Sequence, residues 1–157
     1  MKTKINIAID VMGSDNGPSA IISGAAISKK RFPEIFYTFF GNKELIIRHT
    51  KKYKNLNNSF DIVHTDELVL PEDKPSHALR KRKNTSMGTA LKYVSEKKVH
   101  ALVSAGNTGA LMAMSKLQLR MLEGILRPAI AATFPHEKGE FVVLDLGANI
   151  ECNKENL

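Results

Sequence analysis

The 157-residue chain lacks several features that mark secreted and membrane proteins. It has one cysteine, Cys152, so no intramolecular disulfide can form, and this suits a reducing compartment. Tryptophan is absent and aromatic residues make up 6%, which favours a core of Ile, Val, Leu and Ala. No apolar run approaches the roughly 20 residues that span a bilayer, and no signal-peptide pattern opens the chain. We therefore expect a cytoplasmic globular protein, with Cys152 an inert thiol rather than a nucleophile.

Common cofactor motifs are missing as well. The histidines are scattered, with no pair at the spacing of a zinc site. Neither the Gly-x-x-x-x-Gly-Lys-Ser/Thr motif nor the Gly-x-Gly-x-x-Gly motif is present, so nucleotide binding lacks support. We expect no metal and no cofactor. His77 is a candidate general base beside a basic run, the alternative being an ordinary surface or core histidine.

Strand-like and helix-like segments alternate along the chain. Strands are predicted near Ile5–Asp10, Glu34–Phe40, Phe60–His64, His100–Ser104, Ala129–Phe134 and Phe141–Leu144. Helices are predicted at Ser19–Lys30, Lys43–Lys52, Thr85–Lys97 and Thr108–Leu122. This alternation predicts right-handed crossovers and an α/β fold, a mostly parallel sheet with flanking helices. We expect a single α/β unit over residues 1–157.

The decapeptide Ser104–Ala113 follows the apolar run Val99–Val103 and contains two glycines, Gly106 and Gly109. A β-branched run, two glycines and a helix-forming stretch predict a strand, a tight turn and a helix. Such a turn directs backbone N–H groups and a helix N-terminus at one point, which suits an anion such as phosphate. Thr108 is the predicted N-cap. The alternative is that the glycines only allow the helix to pack closely on the sheet.

Two further predicted strands end in polar turns. The first ends in Asp10 and leads into Met12–Pro18, after which Ser19 can cap a helix. The last ends at Leu144 and leads into Asp145–Asn149. Because open parallel sheets bind ligands just beyond the carboxyl ends of their strands, we expect the three polar strand ends to converge on one crevice.

The chain is basic, with 23 Lys and Arg against 16 Asp and Glu, and its densest basic run is Arg80–Lys83. A solvated surface is one interpretation. Nucleic-acid binding is a second, but no aromatic residue is interleaved to stack bases. Attraction of acidic partners is the third.

These segments together resemble the bacterial phosphate acyltransferase family of phospholipid synthesis. The segments that carry the resemblance are Ile7–Pro18, Asp73–Met87, Ser104–Ala113, Gly124–Ala129 and Val143–Cys152. Ser14 and Asn16 stand where the family usually has glycine and histidine, and Asn84 stands where it usually has aspartate. Family members are about twice as long, so the chain looks like the N-terminal half of such an enzyme.

The resemblance implies a function and a set of partners. The enzyme would transfer a fatty acyl group from acyl-acyl carrier protein to inorganic phosphate, giving acyl phosphate, on part of an isocitrate- or isopropylmalate-dehydrogenase-like fold. It further implies a homodimer, peripheral association with the inner face of the membrane and contact with the downstream glycerol-phosphate acyltransferase. The alternative is an inactive truncated remnant or an anion-binding subunit of a split enzyme.

The resemblance and the polar strand ends together indicate a set of candidate site residues. Asn107 is the candidate donor to the thioester carbonyl, and Asp10 and Asp145 would orient cations or loops, or hold a proton for phosphate. Arginine is preferred for phosphate because its planar fork matches two oxygens. The phosphate- or substrate-binding candidates are Gly13, Asp15, Gly17, Arg80, Arg82, Ser86, Ser104, Gly106, Thr108, Gly109 and Asn149.

Overall fold

A computed structural model describes residues 5–81, 83–126, 128–144 and 146. The chain divides into two compact units, Met1–Gln118 and Leu119–Leu157, and each is described by itself. The single unit expected over residues 1–157 stays a prediction. No helix in the described ranges is long and apolar enough to cross a membrane.

The first unit is built on a four-stranded parallel sheet. Its strands are β1 (Asn6–Asp10), β2 (Phe36–Gly41), β3 (Phe60–His64) and β4 (Ala101–Val103). The spatial order is β3-β2-β1-β4, with every neighbouring pair parallel. The predicted α/β fold with a mostly parallel sheet is therefore confirmed. Because β1 and β4 are neighbours with Ile9 opposite Val103, the segments that follow them emerge side by side.

Within the described ranges, five α-helices accompany the sheet. They are α1 (Gly17–Arg31), α2 (Lys43–Thr50), α3 (Pro75–Lys81), α4 (Ser86–Ser95) and α5 (Thr108–Leu119). A short 3-10 helix covers Lys54–Leu56. The predicted cap at Ser19 is wrong: Asn16 holds the N-cap position of α1 and Pro18 lies in its first turn. Proline is favoured there because its fixed φ suits the helix and its missing N–H is not needed.

The two faces of the sheet are covered by different helices. On one face α1 and α2 pack over β1 and β2, where the buried side chains include Ile9, Ile22, Phe39 and Ile46. On the other face Ala90 of α4 and Val99 cover Ala8 and Phe40. Neighbouring residues Ala8 and Ile9 of β1 are thus buried on opposite faces of the sheet. This is expected for a strand that helices cover on both faces, because successive side chains point to opposite sides.

A third apolar cluster joins α3, α4 and α5. Its fully buried members include Ala78, Met87, Ala110 and Met114, with Val69 contributed by the loop before α3. This packing fixes the first turns of α4 and α5 next to one another. The first turn of α4 contains Ser86, and the first turn of α5 contains Thr108 and Gly109.

The second unit contains an antiparallel hairpin of β5 (Ala131–His136) and β6 (Gly139–Leu144). Phe134 lies opposite Phe141, with ring centroids 5.9 Å apart. Only Glu137 and Lys138 connect the strands. A connection that short joins antiparallel strands, since a parallel pair needs a crossover of a dozen or more residues. The parallel arrangement inferred from alternation therefore does not extend to these two strands.

Candidate functional site

The site is centred on Asp10, the last residue of β1, whose side chain is buried with 1% of the residue exposed. Its Oδ1 accepts hydrogen bonds from Ser86 Oγ at 2.7 Å and from the Met12 N–H at 3.3 Å. Its Oδ2 accepts from Ser104 Oγ at 2.8 Å. A buried carboxylate is costly unless it is hydrogen-bonded, and hydrogen bonds to a charged acceptor are strong. Asp10 therefore ties together three segments that are distant in sequence.

The positions of both serines follow from local structure. Ser86 is the first residue of α4, whose N-cap Thr85 accepts the Gly88 N–H at 3.1 Å. Ser104 comes directly after β4 and also accepts the Gly106 N–H at 3.2 Å. The structure thus brings together the ends of β1 and β4, two of the three polar strand ends predicted to share one crevice. We call Asp10, Ser86 and Ser104 the carboxylate cluster.

Two glycines allow the loops around the carboxylate cluster to touch. A Cβ added at Gly106 would lie 3.0 Å from the carbonyl oxygen of Gly13 and 3.2 Å from its Cα. A Cβ added at Gly13 would lie 2.7 Å from Asp10 Oδ2. Both glycines are therefore required for close approach rather than for an unusual φ. They hold the two loops in backbone contact beside the carboxylate.

Asn107 holds the N-cap position of α5, since its Oδ1 accepts the Ala110 N–H at 2.9 Å. The prediction that Thr108 is the cap is wrong, because Thr108 is already the first helical residue. The Asn107 amide donates to the carbonyl oxygens of Pro71 and Asp73, both at 2.9 Å. It thereby fastens the loop before α3 onto α5. Its role as a donor to substrate stays a prediction.

The other predicted residues differ in exposure and in local structure. Asp15 is exposed, and Gly17 begins α1 with a φ of +69°, a conformation that glycine adopts without strain. A Cβ at Gly109 would lie 3.2 Å from Pro75 Cγ, so that glycine permits α3 to approach α5. Arg80 is exposed in the last turn of α3.

Three predicted residues, Arg82, Asp145 and Asn149, lie outside the described residues. The third polar strand end is therefore not placed relative to the carboxylate cluster.

A polar cleft at the carboxyl end of β3 was not predicted. It has a volume of about 330 Å³. Its lining residues are His64, Thr65, Asp66, Glu67, Lys83, Asn84 and Thr89. The sequence does indicate this cleft, because β3 ends at His64 and the polar residues Thr65–Glu67 follow it, as β1 ends at Asp10. Among the described residues, no group of three or more His, Cys, Asp or Glu side chains is placed to hold a metal ion.

An ion pair lies after α4, in the segment that leads into the amino end of β4, and it shifts the pKa of both partners. Lys98 Nζ lies 2.7 Å from Glu96 Oε2, and this hydrogen bond lowers the pKa of the Glu96 carboxyl. The same contact raises the pKa of the Lys98 ammonium. The pair is exposed to solvent and takes no part in the carboxylate cluster.

Residues 5–157 match the family described as fatty acid synthesis protein, and the chain belongs to that family. The match contains every described residue of the carboxylate cluster and of the polar cleft.

The curated relatives of this chain include several bacterial proteins named phosphate acyltransferase. The one from Pelagibacter ubique is 46% identical over 157 residues, which is all of this chain and 46% of the relative. The one from Paramagnetospirillum magneticum is 44% identical over all of this chain and 45% of its own length. One from Rhodopseudomonas palustris is 50% identical over 96% of this chain and 43% of its own length. The chain spans about half the length of the curated relatives it matches.

Proposed function

We propose that this chain carries part of the active site of a phosphate acyltransferase of phospholipid synthesis. The enzyme would transfer a fatty acyl group from acyl-acyl carrier protein to inorganic phosphate, giving acyl phosphate and the free carrier thiol. The observation that carries the proposal is the identity of 44% or more, over the whole chain, to relatives that bear this name. The family match over residues 5–157 supports the same role in lipid synthesis.

The protein has to position the two reactants and stabilise the negative charge that develops during the reaction. A phosphate oxygen attacks the thioester carbonyl carbon, a tetrahedral oxyanion forms, and its collapse breaks the carbon–sulfur bond. The electron pair leaves on the carrier thiolate. Holding both reactants in line can supply roughly 7–11 kcal/mol of the barrier. Fixed donors around the oxyanion supply more.

The start of α5 is suited to hold the anionic groups. The first N–H groups of a helix have no partner within the helix, and the helix dipole makes this end positive. In α5 these N–H groups belong to Thr108 and Gly109, beside the turn that Ser104 fixes through the Gly106 N–H. We therefore assign phosphate or oxyanion contacts to the N-terminus of α5.

Asp10 acts in this proposal as a positioning residue. A buried carboxylate repels a phosphate dianion, so direct contact between the two is unfavourable. Asp10 instead orients the hydroxyls of Ser86 and Ser104, both within 2.8 Å. Each hydroxyl donates its only hydrogen to Asp10 and so offers only lone pairs, and Ser104 already accepts the Gly106 N–H. Asn107, which holds the loop before α3, serves as a second positioning residue. Its further proposed role, donation to the substrate carbonyl, requires one of its two amide hydrogens to leave the loop carbonyl that accepts it here.

The proposed partners follow from charge and from the family. The exposed Arg80 and Lys81 lie on α3 and offer positive charge to an acidic carrier protein. Opposite charge speeds the encounter while leaving the complex able to dissociate. A homodimer, peripheral attachment to the membrane and contact with the downstream glycerol-phosphate acyltransferase belong to the same proposal.

The test is a chimera in which residues 1–157 replace the matching part of the Pelagibacter ubique relative. Consumption of acyl-acyl carrier protein is followed with and without inorganic phosphate, and the unmodified relative is the control. We expect phosphate-dependent consumption by both proteins. A folded chimera that consumes no thioester, while the relative does, would refute the proposal.

A further inference from the structure

The strand β4 has the composition of an interior strand but lies at the edge of the sheet. Within the described ranges it ends the order β3-β2-β1-β4, and its outer edge pairs with no strand. Its residues, Ala101–Val103, are all apolar. Natural edge strands usually carry a charge or a proline, as β3 at the other end of the sheet carries the exposed Asp61. Strands of a parallel sheet that are apolar throughout usually lie inside it.

The backbone groups at this edge point away from the sheet. The His100 N–H donates to the Asn6 carbonyl oxygen at 2.8 Å, so it points toward β1. Because the hydrogen-bonding groups of successive residues in a strand alternate in direction, those of Ala101 and Val103 point to the outer edge. A strand laid along β4 would give these groups the partners that buried backbone groups require.

An apolar groove of about 420 Å³ lies between α1 and the edge of β4. Its lining includes Phe32, which follows α1, and the register pair Ile9 and Val103. Val103 is 56% exposed and Phe32 is 50% exposed. The two polar side chains in the described lining, Ser28 and Tyr37, are hydrogen-bonded to one another at 3.0 Å. The groove therefore presents apolar surface beside an open strand edge, and such patches mark interaction sites.

The groove and the edge together favour an extended polypeptide strand as the occupant. A fatty acyl chain would fill an apolar groove but leave the backbone groups of β4 unpaired. A strand with apolar side chains on one face satisfies both. The curated relatives contain further chain that could supply it, because all of this chain matches only 46% of the Pelagibacter ubique relative. In a single polypeptide the remaining part is held near β4 at high effective concentration.

We propose that the edge of β4 and the apolar groove bind a strand from the part of the phosphate acyltransferase relatives that lies outside the match. This inference rests on the proposed function, because the occupant comes from relatives that bear that name. Val103 ends β4, and Ser104 of the carboxylate cluster follows it directly. Whichever way the added strand runs, one of its ends lies beside Ser104. The occupant therefore brings further residues to the carboxylate cluster.

The test compares hydrogen exchange in the full 157-residue chain and in the chimera described above, which contains the unmatched part of the relative. We expect the amides of Ala101 and Val103 to exchange roughly a hundredfold or more slowly in the chimera, because a neighbouring strand then binds them. The amide of Ile9 is the internal control, since β1 already lies between β2 and β4. The unmodified relative, measured at the strand that matches β4, gives the same reading without depending on the chimera.

A pair of variants tests the groove itself. Val103→Lys places a charge in the apolar groove and should speed exchange of the Ala101 amide in the chimera by about tenfold or more, because burial of an unpaired charge opposes docking. Asp61→Lys is the matched control, because it places the same charge on the edge strand at the other end of the sheet. It should leave exchange at Ala101 unchanged.

Equal exchange at β4 in the 157-residue chain and the chimera, or equal slowing at Ile9 and β4, would overturn the proposal. Protection of the β4 edge in the 157-residue chain alone would show that a second copy or the chain itself covers it, which would also overturn the proposal. Hydrogen exchange is independent of acyl transfer. An active chimera with an open β4 edge refutes this inference only, whereas a protected edge in an inactive chimera refutes the proposed function only.

Discussion

Substitution of Gly13 by alanine tests how tightly the two loops and the Asp10 carboxylate are packed. The φ of Gly13 is not positive, so an alanine there is limited by contact alone. Its Cβ would lie 2.7 Å from Asp10 Oδ2, a distance that real Cβ atoms almost never show. The carboxylate must move away, and this breaks or stretches the 2.8 Å bond from Ser104.

The expected size of the effect follows from the bond that is lost. A hydrogen bond to a charged group contributes about 1.5–3 kcal/mol, so Gly13→Ala should lower the free energy of unfolding by about that amount. For a chain of this length the Tm should fall by roughly 3–12 °C. Urea denaturation followed by circular dichroism measures the change.

Gly24→Ala is the matched control, since Gly24 lies inside α1 with no atom within 4 Å of its added Cβ. It should stabilise the chain by about 0.5–1 kcal/mol, because alanine favours the helix. If Gly13→Ala were as stable as the unmodified chain, the packing described around Asp10 would be wrong.

The remaining predictions concern the start of α5 and the basic helix. Asn107→Ala removes the cap of α5 and should lower the free energy of unfolding by about 1 kcal/mol or more. If the amide also donates to the oxyanion, the same change should lower kcat of the chimera about a hundredfold. Asn107→Asp keeps the cap acceptor and removes the donors, so an unchanged kcat in that variant would restrict Asn107 to capping. Replacing Arg80 and Lys81 together by serine should raise KM for the carrier protein and leave KM for phosphate nearly unchanged. The rise in KM should become smaller as salt increases, because screening limits charge attraction to a Debye length of about 8 Å at physiological ionic strength. A raised KM for phosphate would instead show that one of the two side chains binds phosphate.

The parallel sheet was predictable because each of its strands is a short apolar run that ends at a polar turn. The ends of β1 and β4 could be placed together for the same reason, and Asp10 and Ser104 do meet there. The helix caps were harder to predict. Asn107 and Thr108 are both good caps, and only the packing of the loop before α3 decides in favour of Asn107.

Other features depend on tertiary contacts that no local pattern reports. Helix α3 has seven residues and a strongly basic end, and it gains its stability by burying Ala78 against α4 and α5. The polar cleft joins residues 64–67 to residues 83–89 through the parallel bridge between Glu67 and Thr85. The role of Ser86 likewise depends on α4 beginning beside the end of β1.

The most direct measurement of the central claim is the ratio of acyl phosphate formed to carrier thiol released by the chimera at saturating phosphate. If phosphate attacks the thioester directly, at a site that residues 1–157 help to form, one acyl phosphate should form for each thiol released. Thiol release without acyl phosphate would show that water is the acceptor and would contradict the account.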